Sequence, residues 1–251
     1  MNLIEVNETF LDVYELKSGK RIETHQVPDK YFTMPDAEMT ELLQEFRQNK
    51  FSRLKKTVVA ANLRQSVIRV AESAGSSPWE SVKKLLPYGL QMNENTHIFD
   101  LATLKKQGGT QLIASALPSL ISSRIVDICL PLVQKEYNFV RLDLLERIIF
   151  EKYADLIKSK PEQAEIYAVL LSQGLGFRVL VLNHAKPYGI YSVSNAPAFR
   201  EKEITAVYTH LKKISEDIKF IRLTHNNAPT WVDEYIKVEI DDESPYTRKR
   251  R

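Results

Sequence analysis

The chain predicts an α/β protein built on mixed sheets, and three observations carry that reading. Strand-like and helix-like stretches alternate along its length without internal repeats or low-complexity tracts. It opens on a sheet-type run, Leu3 to Leu16. The stretch Thr57-Val58-Val59-Ala60-Ala61-Asn62-Leu63 is nearly all apolar, which suits a central strand covered on both faces. With 251 residues, 43% hydrophobic and 27% charged, the chain is long enough for one large domain or two small ones.

The elements follow in order. After the opening run, Ser18-Gly19-Lys20 is a turn into a second strand, Arg21 to Gln26, that pairs back as a hairpin. Asp36 and Ala37 start a helix: Met39, Leu42, Leu43 and Phe46 recur at helical spacing, while Glu41, Glu45 and Arg47 face water. The buried run 57–63 comes next, then a strand from Ser66 to Ala71. Ser77-Pro78-Trp79-Glu80 has the chemistry of a helix start, with Ser77 as N-cap, Pro78 in the first position and Glu80 reaching back, and Leu86-Pro87 ends that helix. His97 to Leu104 and Gln111 to Leu117 read as strands joined by the turn Gly108-Gly109.

A long helix is expected from Ser119 to about Tyr137, with Pro131 kinking it, and another from Asp143 to Ile157. Lys158-Ser159-Lys160-Pro161-Glu162 is the best linker in the chain. Beyond it, strands at Ala164 to Leu171, Phe177 to Leu182 and Gly189 to Val193 form a meander whose middle strand is buried. Its turns fall at Gln173-Gly174-Leu175-Gly176 and before Lys186-Pro187. A helix from Arg200 to about Ile214 and a strand from Lys219 to Thr224 complete the pattern.

Composition narrows the function classes. A net charge of +3 names no partner, though part of it gathers in Arg248, Lys249, Arg250 and Arg251, behind the acidic Asp241-Asp242-Glu243. Such a tail is a solvated terminus or a contact with anionic lipid or nucleic acid. No segment reaches the roughly 18 apolar residues of a membrane span. Glu5, Glu8 and Asp12 fall where the apolar core of a signal peptide would lie. The single cysteine, Cys129, lies between Ile128 and Leu130, where packing explains it, and a chain without internal disulfides is expected in the reducing cytoplasm.

The order of elements resembles the actin-like cytoplasmic proteins of type IV pilus and type II secretion machines, the PilM family and the cytoplasmic domain of GspL. The resemblance spans nearly the whole chain. The buried strand Val58 to Leu63, the Trp79…Leu86-Pro87 segment and Phe99-Asp100 match the family's inserted subdomain, and Gln111 to Ala116 followed by Arg141-Leu142-Asp143-Leu144-Leu145-Glu146 matches its return. The implied fold is actin-like (ribonuclease H-like), with an inserted small α/β subdomain and a reduced outer one. Residues 1–75 with 139–160 would form the first subdomain, 76–138 the insertion, 161–240 the second subdomain and 241–251 a basic tail.

Within that resemblance the nucleotide loops are degenerate. An actin-like first hairpin wraps a phosphate with an Asp, a Gly and often a Lys, because backbone N–H groups must approach the anion closely. Glu5, Asn7 and Asp12 stand at those places, so an acid is kept, the Gly has gained a side chain and the Lys has become an anion; Thr9 lies in the same turn. Gln173, Gly174 and Gly176 occupy the second phosphate hairpin without its carboxylate. His225, Asn226 and Asn227 stand where the adenosine loop has a Gly pair.

Each residue also has a plainer reading. The glycines serve a tight turn, the stronger reading without an adjacent Lys-Ser/Thr, and His225 with its Asn neighbours is a polar loop. Asp143 and Glu146 are acids favoured at a helix start. The histidines are scattered, with no pair at zinc spacing, so no metal site is expected, and no catalytic set stands out.

The resemblance implies a non-enzymatic scaffold at the cytoplasmic face of the inner membrane, linking membrane proteins of a pilus or secretion platform to the assembly ATPase. Its partner cleft would accept an extended peptide near Val67, Arg69, Trp79, Leu86 and Tyr88. The Arg248 to Arg251 tail would be membrane-proximal, flanking a span if one followed as in GspL. No cofactor is expected. Two alternatives stand beside this. One is an actin-like protein that binds ATP through Glu5, Thr9 and the Gly174 turn. The other is a nucleic-acid binder using the tail with Lys55, Lys56, Lys83 and Lys84, which lacks a stacking-aromatic motif.

Overall fold

A computed structural model describes residues 1–28, 30–48, 53–72, 97–106, 109–158, 164–173, 176–223 and 229–241. The opening run is two strands, β1 (Asn2–Val6) and β2 (Phe10–Glu15), and β3 (Lys20–Gln26) pairs back on β2. β4 (Thr57–Ala61) lies parallel to β1 and is buried at every position, as its unbroken apolar run requires. Between them α1 (Asp36–Gln48) makes the crossover, its first turn carrying Asp36 and Glu38 where the helix dipole favours acids. The sheet closes with β8 (Phe139–Leu144), parallel to β4, in the order β3-β2-β1-β4-β8.

The strand at 66–71 does not join this sheet. Ser66 N–H donates to the Leu63 carbonyl at 3.0 Å, and the turn leads into β5 (Val67–Glu72). β5 pairs antiparallel with β7 (Gly109–Pro118), which in turn pairs with β6 (His97–Lys106), giving a three-stranded sheet between β4 and β8 in the chain.

Two expected helices change here. α2 (Ser119–Cys129) stops well short of Tyr137, because Pro131 has no N–H to continue the ladder; Leu130–Leu132 and Glu136–Asn138 tighten into 3₁₀ turns instead. Asp143 and Leu144, expected at the front of the next helix, are instead the end of strand β8, and α3 (Leu145–Lys158) begins only after them. Of the linker 158–162, only Lys158 lies within the described residues.

The second sheet repeats the order of the first: β11-β10-β9-β12-β13. β9 (Ile166–Gln173), β10 (Gly176–Asn183) and β11 (Lys186–Ser194) form the antiparallel meander with β10 in the middle. α4 (Pro197–Lys212) returns the chain to β12 (Ile218–Leu223), parallel to β9. A short edge strand not foreseen from the sequence, β13 (Val238–Asp241), lies parallel to β12. The β10–β11 hairpin turns on His184 and Ala185, both at positive φ (45° and 60°), the geometry of a type I′ turn. Ala185 is buried in the core, so its methyl group is used in packing where Gly would leave a gap.

β9 alternates between two cores. Tyr167, Val169 and Leu171 pack with first-sheet residues such as Leu3, Val59 and Leu63 and with Ile149, Phe150 and Tyr153 of α3. Ile166, Ala168 and Leu170 point the other way, to Ile204, Val207 and Leu211 of α4. The first of these cores joins the two halves of the molecule. No helix among the described residues is long and apolar enough to cross a membrane.

Candidate functional site: the buried junction of the two hairpins

The first hairpin is closed on itself. Asn7 N–H donates to the Phe10 carbonyl at 3.1 Å, so Glu8 and Thr9 form a tight loop. The Asn7 Oδ1 then accepts from the backbone N–H groups of Thr9 (3.1 Å) and Phe10 (3.0 Å). A bound anion needs donors of this kind, converging from a tight turn; here a side-chain carbonyl of the same loop has taken them. The Thr9 hydroxyl also lies against Asn7 Oδ1, at 3.5 Å. Glu8 is turned onto the neighbouring crossover, accepting from Arg64 N–H at 2.9 Å.

Behind the loop, Glu5 and Asp12 are direct cross-strand partners and both are buried. Asp12 accepts from the Thr24 hydroxyl at 2.5 Å and lies 3.5 Å from Arg21, so its charge is held within the sheet. Burial, and after it the charges of Glu5 and Asp12, push the Tyr14 phenol far up from its ordinary value.

The second hairpin meets the end of β4. Asn62 Nδ2 bridges Glu5 Oε1 (3.0 Å) and the Ser172 carbonyl (3.1 Å), which links the first hairpin to β9. Gln173 Nε2 donates to the Leu63 carbonyl at 2.9 Å and lies 3.4 Å from Glu146 Oε1. Arg178 of β10 forms an ion pair with Glu146 and donates to the Ser66 carbonyl (2.8 Å) and hydroxyl (3.3 Å). Glu146 is 0% exposed and Arg178 8%. Taking these charges out of water demands such pairing and full hydrogen bonding. The junction therefore consists of the chain's own polar groups, bonded to one another except at Glu146 Oε2 and Asn62 Oδ1, which are buried without a hydrogen-bond partner among the described residues.

Gly176 opens β10 opposite Ser194, and a Cβ there would lie 2.4 Å from the Val193 carbonyl oxygen. A close strand approach accounts for this glycine.

Asp143 and Glu146 separate in role. Glu146 does open α3, but it faces the junction and not solvent, a pairing across 32 residues that no local signal announces. Asp143 is the next-to-last residue of β8, where burial pushes its carboxyl up to about 6, against the pull of Arg141 and of the Leu144 N–H. The folded state thus holds this proton more tightly than the unfolded chain, whose carboxyl titrates near 4. Stability is expected to fall as pH rises from about 4 to about 6. Asp143→Asn should remove that slope and raise stability at pH 7 by about 1–2 kcal/mol, read from urea unfolding at several pH values.

Of the other expected site residues, Val67 and Arg69 are placed by their backbones on β5, opposite Ala116 and Ala114. Lys55 and Lys56 lie exposed just before β4. Trp79, Leu86, Tyr88, Gly174, His225, Asn226, Asn227, Lys83, Lys84 and Arg248 to Arg251 fall outside the described residues. Cys129 is fully buried and burial pushes its thiol far up, in keeping with packing. Among the described residues no three His, Cys, Asp or Glu side chains come together as a metal site.

No family model and no curated protein matches the sequence. Solved structures do resemble it. One is the PilM–PilN type IV pilus biogenesis complex, at a TM-score of 0.60 and 13% identity, covering 97% of this chain and 88% of that one. Another is a Bacteroides thetaiotaomicron protein of unknown function with an actin-like ATPase fold, at 0.62 and 10%, covering 98% and 91%. The cytoplasmic domain of EpsL, an inner-membrane component of the type II secretion system of Vibrio cholerae, superposes at only 0.45 and 10%, over 96% and 85%, too low to carry an argument. With two five-stranded sheets of the same order packed across one core, and these likenesses over almost its full length, the chain has the actin-like fold.

Proposed function

We propose that this chain is a non-catalytic scaffold at the cytoplasmic face of a bacterial inner membrane, where it links membrane proteins of a type IV pilus or type II secretion platform to the assembly ATPase. The observation that carries the non-catalytic half is Asn7, whose side chain occupies the Thr9 and Phe10 N–H groups of the first hairpin. The likeness in fold to the PilM–PilN complex supports the platform half. As a scaffold the chain presents a two-sheet frame, with the three-stranded sheet as the docking side for an extended tail of a membrane partner.

The test is a titration with Mg-ATP followed by thermal unfolding, alongside calorimetric titration with cytoplasmic tail peptides of platform membrane proteins. Ligand at a hundred times its dissociation constant would add about 2.7 kcal/mol to the native state. We expect no shift at millimolar ATP and saturable binding of one tail peptide. A saturable ATP shift would favour a nucleotide-dependent actin-like protein instead. Asn7→Gly is the control that frees the loop donors, and it should be no less folded than the parent.

A further inference from the structure

We propose that Arg178 is a clamp that sets the three-stranded sheet against the second five-stranded sheet, giving the small sheet discrete settings and not a continuous swing. The small sheet leaves the first sheet through residues 62–66 and returns where β7 runs into α2 at Pro118 and Ser119. Four hydrogen bonds tie the outgoing crossover to the second sheet: Asn62 Nδ2 to the Ser172 carbonyl, Gln173 Nε2 to the Leu63 carbonyl, and two from Arg178 to Ser66. Ser66 is the last residue before β5, and β5 packs beside the edge strand β11. The grip on Ser66 is therefore applied where the small sheet is hinged.

The chemistry of the grip makes it switch-like. Arg178 places two guanidinium nitrogens on Ser66 and shares one of them with Glu146, a planar fork that a lysine cannot reproduce. Glu146, wholly buried, holds the guanidinium in place, so release of Ser66 leaves buried donors of a charged group without their acceptors. Intermediate positions are disfavoured, and a packed interface of this kind moves between separate arrangements. A partner that moves the small sheet must break the clamp, and Arg178 would then pass that event to the β10–β11 hairpin. The clamp stands on the junction geometry and does not depend on the platform reading.

The experiment is residue-resolved hydrogen exchange on the full chain, comparing the parent with Arg178→Lys and Ser66→Ala. Arg178→Lys keeps a cation for Glu146 and loses the fork, so we expect exchange at residues 63–68 and along β11 to accelerate at least tenfold. Amides of β1 and β4 should stay within twofold of the parent. Ser66→Ala removes the hydroxyl contact with Arg178 together with the hydroxyl's own 2.6 Å bond to the Leu63 carbonyl, so its effect on the clamp is read along β11, where about threefold acceleration is expected. The proposal is overturned if β11 keeps parental protection in both variants, or if all strands accelerate together, the mark of a merely structural residue whose loss lowers global stability. Should Arg178→Lys not fold, Ser66→Ala alone gives the same two readings.

Discussion

Replacing either member of the buried ion pair alone, Glu146→Ala or Arg178→Ala, is expected to lower the unfolding free energy by about 3–5 kcal/mol. The size follows from what is stranded. Without Arg178, the Glu146 carboxylate keeps only Gln173 within reach, at 3.4 Å, and has no water to turn to. Without Glu146, the guanidinium retains the Ser66 carbonyl and hydroxyl but loses its counter-charge. The double replacement Glu146→Leu with Arg178→Met should be milder than either single one, since filling the site with apolar groups removes the desolvation cost of both charges together. Urea unfolding of the four proteins, with a common slope against denaturant, reads the three losses directly. Single losses below about 1 kcal/mol, or a double variant as unstable as the sum of the singles, would mean that the pair is not buried as described.

Gly176→Ala is expected to cost about 2–3 kcal/mol. The new methyl group would meet the Val193 carbonyl oxygen at 2.4 Å and its carbon at 3.4 Å, both main-chain atoms that no rotamer change can move. Relief requires β10 and β11 to part at their first rung, beside Phe177, which packs edge-on to Trp231. The loss should be the same with and without Mg-ATP, because the glycine serves strand approach. If the variant instead kept its stability and changed only its response to nucleotide, Gly176 would have to be reassigned to a phosphate loop.

Much of the fold was legible because its signals are local. β4 announces itself in five consecutive residues that are all buried, and the meander in apolar runs separated by turn residues. The misses have equally local causes. β8 puts Asp143 and Leu144 directly before Leu145 and Glu146, a run that reads as one helix because a short apolar stretch carries no decisive period. Pro131, which the sequence places as a kink, stops α2 instead, because the ladder cannot continue through a residue without an N–H. β13 is only four residues long and lies in acidic sequence. At the site, Asn7 was legible as the residue that replaces a glycine, and an Asn in a turn signals a side chain bonded to its own loop. Glu146 and Arg178 were not, since nothing local tells that residues from α3 and β10 will share one buried site. Arg124, almost fully buried and bonded to Asp36 and the Tyr31 carbonyl, escaped notice for the same reason.

The placement of β5 beside β11 has a consequence for how the protein behaves at high concentration. Each sheet ends in two strands with unpaired backbone groups, and every such border is a template on which a stranger's strand can add. By facing each other, β5 and β11 shield two of these borders. The remaining outer strands of the five-stranded sheets are poor templates for other reasons: β3 carries Lys20, Arg21 and Glu23, β13 is short and holds Glu239 and Asp241, and β8 carries Arg141. Charge and brevity guard what packing leaves open in the two five-stranded sheets.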